Sequence, residues 1–212
     1  MEETISYKTL IESCETGDIL LYSTTYWYSK IIEYVSGSKY SHISIILKNP
    51  TYLNPKLKGV YVLESSLAED INDINLDKKI NGVQIIPIEH VFDQYRNSNI
   101  GNLYYRKLNV NRDSLFINNL KDTINNIEGD KYDINILDWI KAAFDIQIGD
   151  LHKENTFWCS AMVSYVYIKL NMLDKNIPWT IISPKKYSYY EKDSIKLINS
   201  SLDPEINIDL NN

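Results

Sequence analysis

The sequence is poor in the residues that most often announce a chemistry. It has 2 cysteines, Cys14 and Cys159, so no disulfide framework holds it, and a reducing setting fits best. Its 3 histidines, His42, His90 and His152, are scattered without the spacing of zinc ligands. No metal and no cofactor is expected. Positive charge is also scarce: 22 Lys and Arg face 28 Asp and Glu, a net charge of -6. No basic stripe with interleaved aromatics runs along the chain, so nucleic acid is not an expected partner. No apolar run reaches the length of a transmembrane helix. The opening Met1-Glu2-Glu3-Thr4 has neither the basic nor the apolar region of a signal peptide. A cytoplasmic location is the resulting expectation.

What is present suffices for one core. The chain has 212 residues, 44% of them apolar. A single domain over residues 1–202 is expected, followed by an acidic, weakly apolar flexible tail over 203–212. Abundant Ile, Asn, Lys and Tyr point to an AT-rich source genome more than to a function.

Periodicity sorts the chain into strands and helices. Tyr7 to Cys14 reads as a short helix, with Glu15-Thr16-Gly17 as a turn and Asp18 to Tyr22 as a strand. Tyr26 to Val35 carries Trp27, Ile31, Ile32 and Val35 at helical spacing, with Gly37 as a stop. In the strand His42 to Leu47, Ile43, Ile45 and Leu47 share one face, and His42, Ser44 and Ile46 the other. Val60 to Ser65 is a strand with Val60, Val62 and Glu64 on one face. Val83 to Ile88 and Leu103 to Val110 are further strands, and Pro87 suits an edge or a bulge. Helices are predicted from about Asp113 to Glu128, on the stripe Phe116, Leu120, Ile124 and Ile127, and from Ile134 to Phe144. A last helix runs from Cys159 to about Leu170, with Cys159, Val163, Val166 and Leu170 inward. The polar segment Ala68 to Gly82 reads as a loop or lid; it lacks the glycine and closing Glu of a calcium loop. Strands and helices without strict alternation give an α+β fold, an antiparallel sheet or half-barrel packed against helices.

The chemistry concentrates at Phe157-Trp158-Cys159-Ser160-Ala161. A helix N-terminus favours a thiolate over a thiol, and the thiolate is the reactive form. His42, in its strand, is the candidate base. Each residue also has a plain reading. Taken alone, Cys159 is more often a small core residue and His42 a satisfied strand histidine. Glu64 is explained by a nearby imidazolium or, equally, by an edge-strand surface position. His90 and His152 compete as bases. Cys14 follows a helical pattern and reads as packing. For Tyr26-Trp27-Tyr28, helix packing is favoured over an apolar cleft or a peripheral membrane contact.

The order of the pieces carries more than any one of them. Gly17-Asp18-Ile19-Leu20-Leu21 precedes Tyr40-Ser41-His42-Ile43; then come Val62-Leu63-Glu64-Ser65-Ser66 and Phe157-Trp158-Cys159-Ser160-Ala161. Tyr132-Asp133 and Ser183-Pro184 fit the same series. This set resembles the circularly permuted branch of the NlpC-like papain superfamily over roughly Gly17 to Tyr187. That branch holds bacterial YiiX-like proteins, a poxvirus family and, more distantly, the lecithin–retinol acyltransferase group. The resemblance implies a permuted papain-like fold with Cys159 as nucleophile, His42 as base and Glu64 orienting the imidazole. It implies a backbone oxyanion donor at Cys159, and leaves the second donor unplaced; Tyr40 is one reading of the family's cleft aromatic. The implied activity is a cysteine-dependent hydrolase or acyltransferase acting on an amide or ester, lipid-acyl or peptide-like. The alternative is an inactive lipid- or protein-binding virulence module on the same fold. With the composition, the resemblance also favours an intracellular protein of a large DNA virus.

Overall fold

The computed structural model describes residues 3–24, 39–67, 71–98, 100–132 and 156–211. The helices expected at Tyr26–Val35 and Ile134–Phe144, and the competing base His152, lie outside the described residues.

Nine described strands form one mixed sheet. In sheet order they are β1 (Thr4–Ser6), β11 (Ile206–Asp209), β6 (Gly101–Arg106), β2 (Ile19–Thr24), β3 (His42–Lys48), β4 (Val60–Leu67), β5 (Asn81–Pro87), β8 (Lys131–Tyr132) and β9 (Thr156–Phe157). The interior pairings are antiparallel, as expected; the β1–β11 and β8–β9 pairs at the two ends are parallel. A separate ribbon joins β7 (Leu108–Asn109) to β10 (Ser201–Leu202).

The two-residue period of the strands decides what covers each face. One face carries Ile19, Leu21, Ile43, Ile45, Leu47, Leu63, Val83 and Ile85. It packs on α3 (Ser114–Ile127) and α4 (Cys159–Lys169). The other face carries Leu20, Tyr22, Ile46, Val60, Val62 and Ile86, and packs on α1 (Tyr7–Ser13) and α2 (Ile88–Ser98). The fold is therefore mixed α+β with helices on both sides of the sheet.

Side-chain caps start two of the helices. Asp113 accepts the Phe116 N–H at 2.9 Å and starts α3, whose stripe Phe116, Leu120, Ile124 and Ile127 is buried. Ser6 accepts the Thr9 N–H at 3.1 Å and starts α1. Pro87 ends β5 opposite Tyr61, and β8 meets β5 at Gly82, so the missing N–H of Pro87 costs no ladder bond to β8.

Three expectations change. The 203–212 tail is not frayed: Ile206–Asp209 is a strand wedged between β1 and β6. Buried Glu205 fastens it, accepting from Tyr40 Oη at 3.0 Å, Ser188 Oγ at 2.5 Å and the Tyr189 N–H at 2.9 Å. Secondly, α2 takes up Ile88, read as the end of a strand, and ten residues after it for which no element was expected. Ile88, Val91, Phe92 and Tyr95 are its buried positions. Thirdly, the 71–80 part of the polar loop is pinned rather than lid-like. Buried Asp73 accepts the Ile85 N–H at 2.6 Å and the Asn75 and Leu76 N–H groups at 2.9 and 2.6 Å. Its carboxylate oxygens accept from backbone N–H groups.

Candidate functional site

The site forms where β3 begins and α4 begins. Four hydrogen bonds fix the register of α4. Trp158 Nε1 donates to the Thr180 carbonyl at 2.8 Å, and Ser160 Oγ to the Ile182 carbonyl at 2.6 Å. Ser164 Oγ meets Tyr187 Oη at 2.8 Å, and Tyr167 Oη donates to the Gly17 carbonyl at 2.8 Å. The helix is buried nearly all round, from Cys159 to Ser164 and again at Val166 and Tyr167, more than the single inward face expected. Trp158 occupies the N-cap position and offers no side-chain cap. The first N–H groups, that of Cys159 among them, are therefore left to other acceptors.

His42 is the first residue of β3 and lies opposite Tyr22 of β2. The Tyr22 ring stands edge-on to the imidazole with centroids 4.7 Å apart, and its hydroxyl bonds Ser44 Oγ at 2.8 Å. Tyr22 is thus an aromatic that borders the imidazole. Tyr40, the sequence-based candidate, instead bonds Glu205 and stands edge-on to Tyr104.

His42 Nε2 lies 3.0 Å from Glu64 Oε2. Cys159 lies close enough to the same ring to raise its pKa. With Nε2 taken by Glu64, Nδ1 is the nitrogen left for the thiol. The fold thus brings together all three sequence-named residues from β3, β4 and the start of α4. The His42 side chain keeps 20% of its surface exposed, Glu64 is buried, and Cys159 is 3% exposed.

The electrostatics follow from this packing. Burial works against a charged His42 ring, but Cys159 and Glu64 outweigh it and push the imidazole up from 6.5 to about 10. Burial likewise works against an ionised Glu64. The bond and charge of His42, with donors on Ser66 and Gln84, hold its carboxyl below the usual 4.5. At neutral pH the arrangement is an imidazolium beside a carboxylate.

Two residues that sequence reading did not single out complete the surroundings of Glu64. Ser66 Oγ donates to Glu64 Oε1 at 2.7 Å, and Gln84 Nε2 to the same oxygen at 3.1 Å. Their signal was a polar side chain inside each of two strand patterns, meaningful only once the strands are paired.

The competing residues are elsewhere occupied. His90, on α2, pairs with Gln94 Nε2 at 3.1 Å. Cys14 caps α1 through its N–H, and burial pushes its thiol up to about 11, out of the reactive range. Asp18 is fully buried and serves structure: it accepts from Tyr105 Oη at 2.6 Å, the Leu108 N–H at 2.9 Å and Arg112 Nη2 at 2.9 Å. Among the described residues, no group of three or more His, Cys, Asp or Glu side chains is arranged to hold a metal ion.

No family model matches the sequence, and no curated protein matches it. Among solved structures the chain is similar to the crystal structure of the metalloprotein yiiX from Escherichia coli O157:H7, DUF1105. The identity is 16% and the TM-score 0.49, covering 91% of this chain and 97% of that one.

Proposed function

We propose that this chain is a thiol-dependent hydrolase or acyltransferase that forms an acyl-enzyme on Cys159. The observation that supports the reading is one imidazole with Glu64 Oε2 at 3.0 Å from Nε2 and Cys159 near enough to raise its pKa. The sequence order resembling the permuted NlpC-like papain branch supports it as well.

The steps follow from the charges. His42 takes the thiol proton, and Cys159 Sγ becomes the nucleophile. Sγ attacks the carbonyl carbon of an ester or amide. The Cys159 N–H, at the start of α4, faces the developing oxyanion. His42 gives its proton to the departing alcohol or amine, and a thioester remains. Water or a second acceptor then loses a proton to His42 and attacks the thioester, and Sγ leaves. Glu64 keeps the ring oriented and stabilises its positive charge throughout. The substrate class is a lipid-acyl or peptide-like amide or ester, with no cofactor required.

One observation favours the competing reading, a binding module that keeps the fold without the chemistry: Cys159 is only 3% exposed. The same experiment separates the two. Alkylation of Cys159 by iodoacetamide is followed against pH in a Cys14→Ala background, with and without His42→Ala. A fast reaction at neutral pH that slows when His42 is lost supports the enzyme. A sluggish thiol, indifferent to His42, overturns it in favour of the binding module.

A further inference from the structure

We propose that Gln84 and Ser66 are positioning residues, a two-armed clamp that holds the Glu64 carboxylate in the orientation His42 requires. The proposal rests on the Cys159–His42–Glu64 reading and extends it to residues outside that set.

Gln84 is fully buried on β5, directly opposite Glu64 on β4. Glu64 and Ser66 are two positions apart, on one face of β4. Ser66 Oγ donates to Glu64 Oε1 at 2.7 Å. Gln84 Nε2 donates to the same Oε1 at 3.1 Å and to Ser66 Oγ at 2.9 Å. Three side chains thus close a ring on one carboxylate oxygen. With Oε1 held by two donors, the plane of the carboxylate is set and Oε2 is directed at His42 Nε2, 3.0 Å away.

The orientation of the Gln84 amide is dictated by this ring. Turned over, its carbonyl oxygen would face a carboxylate oxygen, acceptor against acceptor. In the orientation adopted, Gln84 Oε1 is buried and has no hydrogen-bond partner among the described residues. A buried amide that commits both its N–H groups to Glu64 and Ser66 is there for its donors. Packing alone favours an apolar side chain of the same length. Both donors also favour the ionised form of Glu64.

The decisive variant is Gln84→Met, similar in length and without donors, with Ser66→Ala as an independent second. Three quantities are read in the Cys14→Ala background: the thermal unfolding midpoint, the pH profile of Cys159 alkylation, and the His42 titration by NMR. Gln84→Met is expected to unfold at the same temperature or higher. Its His42 midpoint falls by about one pH unit, a roughly tenfold loss of proton affinity, and the pH profile of Cys159 alkylation shifts with it. Ser66→Ala shifts both in the same direction. A lowered unfolding temperature with an unmoved His42 midpoint in these variants would show a merely structural role and overturn the clamp. If Gln84→Met does not fold, Ser66→Ala decides alone. The two readings fail separately. Alkylation indifferent to His42→Ala defeats the enzyme, whereas a His42 midpoint indifferent to both variants defeats the clamp.

Discussion

The Tyr167 hydroxyl donates to the Gly17 carbonyl at 2.8 Å, although the residues stand 150 positions apart. This bond ties the cysteine helix to the turn that launches β2. Gly17 has φ +98, and a Cβ there would press on Leu108 and Phe116, so glycine is required at that bend. Tyr167→Phe keeps the ring and deletes the donor. The expected loss is about 1 kcal/mol of stability, measured by urea unfolding.

Charge and geometry at Glu64 can be separated by substitution. Glu64→Gln keeps the shape beside His42 and removes the charge that favours the imidazolium. The imidazole midpoint is expected to fall by about a unit, and alkylation of Cys159 at pH 7 to slow less than it does in His42→Ala. His42→Ala removes the proton carrier itself, and a loss of about a hundredfold is expected. Rates that fall in the opposite order would reassign the roles.

The pair also makes stability depend on pH, with opposite signs for its members. His42 is raised from 6.5 to about 10 on folding, so its contribution is complete below about pH 6.5 and is lost as pH rises through about 10. Glu64 is lowered below 4.5, so its contribution is present above that value and is lost as pH falls through its lowered one. Both are complete between about pH 4.5 and 6.5. The stability difference between wild type and His42→Ala is therefore greatest in that window and shrinks toward pH 10. Thermal melts of both proteins across this range check the sign.

Arg106 anchors the C-terminal arm from within the sheet. Its guanidinium donates to the carbonyls of Asp203, Tyr187 and Leu202, and its Nε lies 3.8 Å from Glu205. Arg and Glu are both buried. Arg106→Met leaves the Glu205 charge and three carbonyls without this donor. A destabilisation of about 3 kcal/mol or more is expected from breaking one side of a buried pair. Arg106→Met with Glu205→Gln should recover part of that loss, a coupling that a double-mutant cycle measures.

The site was legible wherever local pattern sufficed. Strand alternation placed His42 opposite the core-facing Ile43, Ile45 and Leu47, and the apolar run after Cys159 marked a helix start. Their meeting was read from the order of motifs, since spacing in one chain does not say which strand lies beside which helix. The clamp was illegible for that reason: Gln84 matters because it pairs with Glu64, 20 positions earlier. The helix α2 was hidden differently. Ile88 closes one apolar run and opens the next, so reading it into the strand concealed the helical spacing of Val91, Phe92 and Tyr95. At the C-terminus, the acidic look of Glu205 suggested solvent, while its carboxylate is buried against Tyr40, Ser188 and Arg106.

The placement of β11 has a consequence for how the molecule assembles. Thr4–Ser6 pairs with Asn207–Asp209, and Ile206 and Asn207 pair in turn with Tyr105 and Tyr104. Among the described residues, the first strand therefore has nothing to pair with until residues about two hundred positions later have been synthesised. A nascent chain on the ribosome can complete the β2–β5 pairings early, yet its opening segment must wait with its backbone groups still bonded to water. Closure of that edge is a late event in folding, so a ribosome stalled before residue 206 would hold a sheet whose β6 edge is still open to other strands.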